Sequence, residues 1–231
     1  VATNIAVALS LLDENISVGL CDCDLYGPSI PLMFGQESVR PTATDENEII
    51  PIESHGIKLM SMGFLLDDSS PVIVRGPLAT RYTQQFLTGC LWGDLDYLVL
   101  DLPPGTGDIQ LTIAQSVSVD GAIIVTTPQE MALIDARKAA SMFAKVNVPI
   151  LGIVENMSYF LCPSDGEKYA IFGQGGGEKE SARLGVPLIG QIPIEMQTRE
   201  AGDSGNPIAL GESETAKEFK NVAEKIIASL N

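Results

Sequence analysis

A chain of 231 residues with 45% hydrophobic content can bury one large core, which excludes a disordered or fibrous protein. A formal net charge of −16, with no run of Lys and Arg, excludes bulk binding to nucleic acid or an anionic membrane. No apolar run approaches the roughly 20 residues of a membrane span, and four cysteines in a chain this size do not make a disulfide scaffold.

From Val1 to Leu12 the apolar residues fall at helical spacing with no N-cap ahead of them. A strand follows at Ile16–Cys21 and ends in Asp22-Cys23-Asp24. A helix running straight into such a strand is the second half of a βαβ unit. Its first strand, and the loop ahead of the helix, are expected to be missing from these residues. Cys21 and Cys23 are two apart and share one face of the strand. Leu25 to Pro31 is a turn-rich loop leading to a short helix. Ile49–Ile52 and Ile57–Met62 form a hairpin turning at Ser54-His55-Gly56, where His55, the only histidine, is a solvated turn residue. Met60 and Met62 pack beneath it.

Pro71-Val72-Ile73-Val74-Arg75-Gly76 precedes a helix over Leu78–Leu87, and Cys90 falls in its helical pattern as a small buried hydrophobe. Strands recur at Tyr97–Asp101, Ala122–Thr126, Ile150–Glu155 and Leu188–Ile192, with helices at Glu130–Val146 and Thr215–Leu230. Gly173 to Gly177 lacks the Lys and Ser/Thr of a phosphate loop and reads as a flexible connector. Short buried strands alternating with helices imply an α/β fold, a doubly wound and mainly parallel sheet with helices on both faces.

The most informative stretch is Asp101-Leu102-Pro103-Pro104-Gly105-Thr106-Gly107-Asp108. A carboxylate at the carboxyl end of a buried strand, followed by a Pro/Gly turn, lies where open α/β sheets bind ligands. In a nucleotide hydrolase that carboxylate helps to hold Mg²⁺, and the glycines let backbone N–H groups approach a γ-phosphate. No G-x-x-x-x-G-K-[ST] occurs anywhere in the chain. The expected organisation is a single nucleotide-binding domain over residues 1–231 that lacks its first strand and phosphate-binding loop.

Several segments together resemble the Mrp/ApbC group of deviant-Walker P-loop ATPases. They are Cys21–Pro31, Arg75-Gly76-Pro77, Trp92–Tyr97, Asp101–Asp108 with Leu111-Thr112, Glu155–Tyr159, Ile171-Phe172-Gly173, Gly190–Pro193 and Arg199–Asp203. The likeness spans nearly the whole chain in the expected order. It implies an ATP-hydrolysing scaffold or carrier for iron–sulfur cluster assembly and transfer, related more distantly to MinD, ParA and the nitrogenase iron protein.

The same resemblance implies the roles of individual residues. Asp24 matches the switch I carboxylate that orients the attacking water, and Asp101 the switch II aspartate that reaches Mg²⁺ through water. Asp22 is aimed at the missing loop or the metal shell. Gly105, Thr106 and Gly107 form the segment that senses the γ-phosphate. Asn156 matches the residue whose amide reads the adenine edge, an amide offering both donor and acceptor, and Pro193 lies at the nucleotide as well. Members of the group often carry Cys-Pro-x-Cys, two subunits giving four thiolates to one cluster. Here the sequence is Cys162-Pro163-Ser164-Asp165. Cys162 is therefore a candidate ligand and Asp165 a weaker one, since carboxylate suits iron–sulfur clusters less well than thiolate.

The implied cofactors are ATP and Mg²⁺, with the iron–sulfur cluster as cargo. The implied partners are a second copy of the chain and cluster clients or scaffolds, with neither nucleic acid nor membrane. A reducing compartment, the cytoplasm, is expected, an organellar matrix staying open. Without a phosphate loop these residues alone are expected not to hydrolyse ATP. Two other readings stand beside this one. A positioning or partition ATPase of the MinD/ParA kind would use a basic surface or a C-terminal membrane helix, whereas the last helix mixes charges around one modest apolar stripe. The third is a nucleotide-free interaction protein.

Overall fold

The computed structural model describes residues 1–65 and 76–230. The expected segment Pro71 to Arg75, including the Arg of Arg75-Gly76-Pro77, lies outside them. The chain begins with α1 (Ala2–Ser10) and β1 (Val18–Asp22), then α2 (Ile30–Met33). Four short strands follow, β2 (Thr42–Ala43), β3 (Ile49–Ile50), β4 (Ile52–Ser54) and β5 (Ile57–Met60). The βα alternation runs through α3 (Gly76–Thr88), β6 (Tyr97–Asp101), α4 (Asp108–Ser116), β7 (Ala122–Thr126), α5 (Glu130–Lys145) and β8 (Ile150–Glu155). A small hairpin, β9 (Phe160–Leu161) and β10 (Lys168–Tyr169), precedes α6 (Gly176–Leu184), β11 (Leu188–Gln191), α7 (Met196–Asp203) and α8 (Glu214–Leu230).

The main strands form two sheets, ordered β4-β5-β1-β6 and β11-β8-β7, parallel throughout except for β4 at one edge. Parallel strands joined by helices need cover on both faces, and they have it. On one face α1 and α8 bring Ile5, Val7, Leu9, Phe219, Val222 and Ile226 into a single cluster. That cluster also takes Leu20 from β1, Val154 from β8 and Ile189 from β11, so the two sheets share one helix layer. The other face is covered in two parts, with Ala79 and Phe86 of α3 over β1 and β5, and Ala136, Met142 and Phe143 of α5 over β7 and β8.

Strand burial follows pairing. β1, paired on both sides, is buried at all five positions, whereas β6 is only half-buried along its length. Among the described residues β6 pairs with β1 alone and β7 with β8 alone. Each therefore keeps one open edge, and Val125 of β7 is 47% exposed despite its apolar surroundings.

Three expectations change in detail. Ile49 and Ile50 pair with Thr42 and Ala43, and the hairpin proper is β4 with β5, turning at His55 and Gly56. His55 is exposed there at φ +50°, and Met60 and Met62 are buried. Cys90 lies beyond the end of α3, bridging to Ile49 rather than continuing the helix. The segment read as a flexible glycine connector starts α6: a Cβ on Gly176 would come within 2.6 Å of the Pro128 carbonyl oxygen. Glycine is there because backbone and helix pack too closely for any side chain.

Candidate functional site

Register decides what meets at the carboxyl ends of the strands. In the first sheet β1 and β6 run in parallel with Asp22 opposite Asp101. Asp22 is 2% exposed, accepts a hydrogen bond from the Ser61 hydroxyl at 2.9 Å, and accepts another from the Asp24 N–H at 3.1 Å. Burial pushes its carboxyl up to about 7, against the hydrogen bond from Ser61, and the neighbouring charge of Asp101 pushes the same way. Asp101 is raised too, first by burial and also by Asp24. Asp24 caps the following turn, its Oδ1 accepting from the N–H groups of Tyr26 at 3.2 Å and Gly27 at 3.3 Å. The structure thus gathers Asp22, Asp24 and Asp101.

The amino end of α1 lies at this place, Val1 standing near Asp101. A divalent cation would relieve the excess negative charge of the carboxylates. Among the described residues no three His, Cys, Asp or Glu side chains converge tightly enough to cage an ion alone. That suits Mg²⁺, which keeps several waters and takes one or two carboxylates plus phosphate oxygens.

Gly105, Thr106 and Gly107 follow β6 as an exposed loop, with Gly105 at φ +93° and Gly107 at the N-cap of α4. Its anchor is Gln110, which sequence reasoning missed. Buried to 3% exposure, its amide donates to the carbonyls of Pro103 at 2.8 Å, Gly105 at 3.2 Å and Pro104 at 3.4 Å. Beside Thr106, a cleft of about 440 Å³ is lined by Arg137, Lys138 and Lys145 of α5.

The second sheet ends in another row. Thr126 pairs with Glu155, and Glu155 with Gln191, across β7, β8 and β11. Asn156 follows β8 and Pro193 follows β11, so these two candidates stand beyond neighbouring strands. The Asn156 N–H donates to the Thr126 carbonyl at 2.7 Å, and the Ile192 N–H to the Glu155 carbonyl at 2.9 Å. Glu155, Ser158 and Gln191 form a buried polar knot beneath them to which the sequence reading gave no role. One signal was available, a lone acid closing an otherwise apolar strand, since a buried charge has to be paired.

Cys162 sits on the β9–β10 hairpin, its Sγ 3.1 Å from the Ser164 hydroxyl. Of the four thiols, Cys21 and Cys23 are fully buried and burial pushes Cys90 up to about 12. Cys162 is therefore the thiol best placed to act as a thiolate ligand. Asp165 is exposed and engaged within the hairpin, accepting from the Glu167 N–H and the Tyr169 hydroxyl, both at 2.9 Å. These bonds, with one from Cys162, hold its carboxyl below the ordinary range. Against the hairpin lies a cleft of about 400 Å³ lined by Cys162, Phe160, Glu195 and Met196. A single chain presents one thiol and one engaged carboxylate there.

Known proteins resemble this chain along nearly its whole length. The ParA family model described as NUBPL iron-transfer P-loop NTPase matches residues 1–227. The iron–sulfur cluster carrier protein of Aquifex aeolicus is 48% identical over 227 residues, covering 97% of this chain and 62% of that protein. Its counterpart in Escherichia coli K12 is 48% identical over 231 residues, covering 99% of this chain and 63% of that protein. The chain thus spans somewhat under two thirds of the length of these two relatives. A nucleotide-binding protein of Archaeoglobus fulgidus, solved with ADP, superposes with a TM-score of 0.80 at 36% identity, over 94% of this chain and 84% of that one. The Pyrococcus furiosus cell-division ATPase MinD, 23% identical with a TM-score of 0.69 over 98% of this chain and 92% of that one, shares the fold. The chain belongs to the ParA/NUBPL family of iron-transfer P-loop NTPases, within its Mrp/ApbC group.

Proposed function

We propose that this chain is the nucleotide-binding core of an ATP-hydrolysing carrier that assembles iron–sulfur clusters and passes them to client proteins. The observation that carries this reading is the register of β1 with β6, which sets Asp22 against Asp101 beside Asp24. In this reading water attacks the γ-phosphorus, the bond to the β,γ-bridging oxygen breaks, and ADP and phosphate leave. Asp24 orients that water and takes up its proton. Asp101 would hold Mg²⁺, which would supply charge neutralisation to the phosphates. Gly105, Thr106 and Gly107 contact the γ-phosphate, their pose set by Gln110. Asn156 reads the adenine edge and Pro193 packs against the base.

In this proposal β6–α4–β7 is a crossover between parallel strands, and the open edges of β6 and β7 face one slot beneath the shared helix layer. In this proposal one more parallel strand fills the slot, and the turn from it into α1 is the phosphate loop. The cluster is cargo, bridged between the Cys162 thiolates of two copies related by a twofold axis. The apolar stripe of α8 is spent inside the protein, Phe219, Val222 and Ile226 all being buried, which favours a carrier over a membrane-docked positioning ATPase.

Anaerobic reconstitution of the complete protein with iron and sulfide, followed by absorption spectroscopy, tests the reading. One cluster per dimer is expected, lost in Cys162→Ser. A Cys162→Ser protein that holds the same cluster as the parent overturns it.

A further inference from the structure

Glu155 is 1% exposed at the end of β8, and every bond its carboxylate makes lies between elements that flank Asn156. Its Oε1 accepts from the Ser158 hydroxyl at 2.6 Å and from the Gln191 amide at 3.1 Å. Its Oε2 accepts from the Gly177 N–H in the first turn of α6. Glu155 and Ser158 are the first and last residues of a four-residue turn whose middle is Asn156-Met157. Met157 sits at φ +54°, in the left-handed region. A non-glycine residue there persists only where its surroundings over-determine the backbone.

The clamp supplies that constraint. The Ser158 N–H donates to the Ile192 carbonyl at 2.9 Å, so the far side of the turn is pinned to the segment leading to Pro193. Gln191 is pinned in turn by α8, its N–H donating to Glu218 at 3.0 Å. A carboxylate is suited to the place because all three groups facing it donate, and a carboxylate only accepts.

We infer that Glu155 is the positioning residue for base recognition: its three bonds fix the strained turn that presents the Asn156 amide, and through that turn set the preference for adenine. This rests on the reading of Asn156 as the adenine contact. A carboxamide at residue 155 keeps the shape but turns an N–H toward a donor. The turn then loses its clamp without losing its packing.

The test compares ATP and GTP affinity of the complete protein by equilibrium titration with fluorescent analogues. Glu155→Gln should weaken ATP binding about tenfold while leaving GTP within about twofold, because only the base contact is displaced. Glu180→Gln is the control, since Glu180, on α6 like Gly177 but away from the turn, is an equally buried carboxylate held by Arg137 of α5 at 2.9 Å. It should lower stability and leave the ratio of the two affinities unchanged. Should Glu155→Gln fail to fold, Ser158→Ala removes one donor and should shift the ratio about threefold in the same direction. An unchanged ratio in Glu155→Gln, or in Ser158→Ala if the first variant does not fold, overturns the inference. An unchanged ratio in Asn156→Ala overturns the adenine reading beneath it, so the two failures are told apart.

Discussion

Parallel strands carry a carboxylate to the end of each sheet, Asp101 on β6 and Glu155 on β8, and the two are surrounded in opposite ways. Glu155 meets three donors and closes a knot between β8, β11 and α6. Asp101 stands beside Asp22 and Asp24: burial raises the proton affinity of Asp101 and of Asp22, and the charge of Asp24 on Asp101 and of Asp101 on Asp22 adds to it. A buried carboxylate saturated from within holds backbone in place, whereas a buried group of like charges calls for a cation from outside. One end of the molecule is finished by its own hydrogen bonds and the other by what it binds.

The largest effect should come from the unfinished end. Asp24→Asn in the complete protein should slow ATP hydrolysis roughly 10²–10⁴-fold with nucleotide affinity nearly unchanged. Steady-state turnover and a binding titration check this, and equal losses in both would assign Asp24 to the ion or the fold. Next comes packing at the finished end. A Cβ on Gly177 would lie 2.9 Å from Glu155 Oε2, so Gly177→Ala should cost about 1–3 kcal/mol in denaturant unfolding. At the other end Gly105 has nothing within 4 Å of such a Cβ, and Gly105→Ala should cost only the strain of its positive φ, about 1 kcal/mol. Equal costs would erase the contrast between a closed site and an open one.

A third prediction concerns pH. Burial raises Asp22 from 3.8 to about 7, so the native state holds this proton more tightly than the unfolded chain does. The stability it contributes is full below pH 3.8 and is lost as pH rises to about 7. Over that window the slope approaches about −1.4 kcal/mol per pH unit, and Asp22→Asn should flatten it. Denaturation midpoints across the range measure it, and an unchanged slope in the variant would move the proton elsewhere. The smallest effect belongs to the hairpin. Asp165→Ala should lower the titration midpoint of Tyr169, which the Asp165 bond holds up, and should leave global unfolding unchanged. A Tyr169 midpoint that does not move would show that the bond is absent in solution.

How much was legible varied with the range of the interaction. Tyr97–Asp101, Ala122–Thr126 and Ile150–Glu155 are observed with the ends expected, because short apolar runs bounded by acids and turn residues punctuate themselves. The family, too, was legible, since its motifs are short and continuous. Gln110 was not, because nothing local says that a glutamine in a helix turns back to hold three carbonyls of the preceding loop. Gly176 and Gly177 were misread as a connector for the same reason, their neighbours Pro128 and Glu155 being distant in sequence.

The sequence by itself determined the parallel α/β architecture, the family and the acidic strand ends, all of which are written in periods of two to four residues and in contiguous motifs. Only the tertiary structure decided that Asp22 faces Asp101 and that Glu155 faces Gly177, Ser158 and Gln191. The physical reason is that strand register and helix docking are settled by burying the whole apolar surface at once. Which charge ends beside which donor follows from that global packing and from no local pattern.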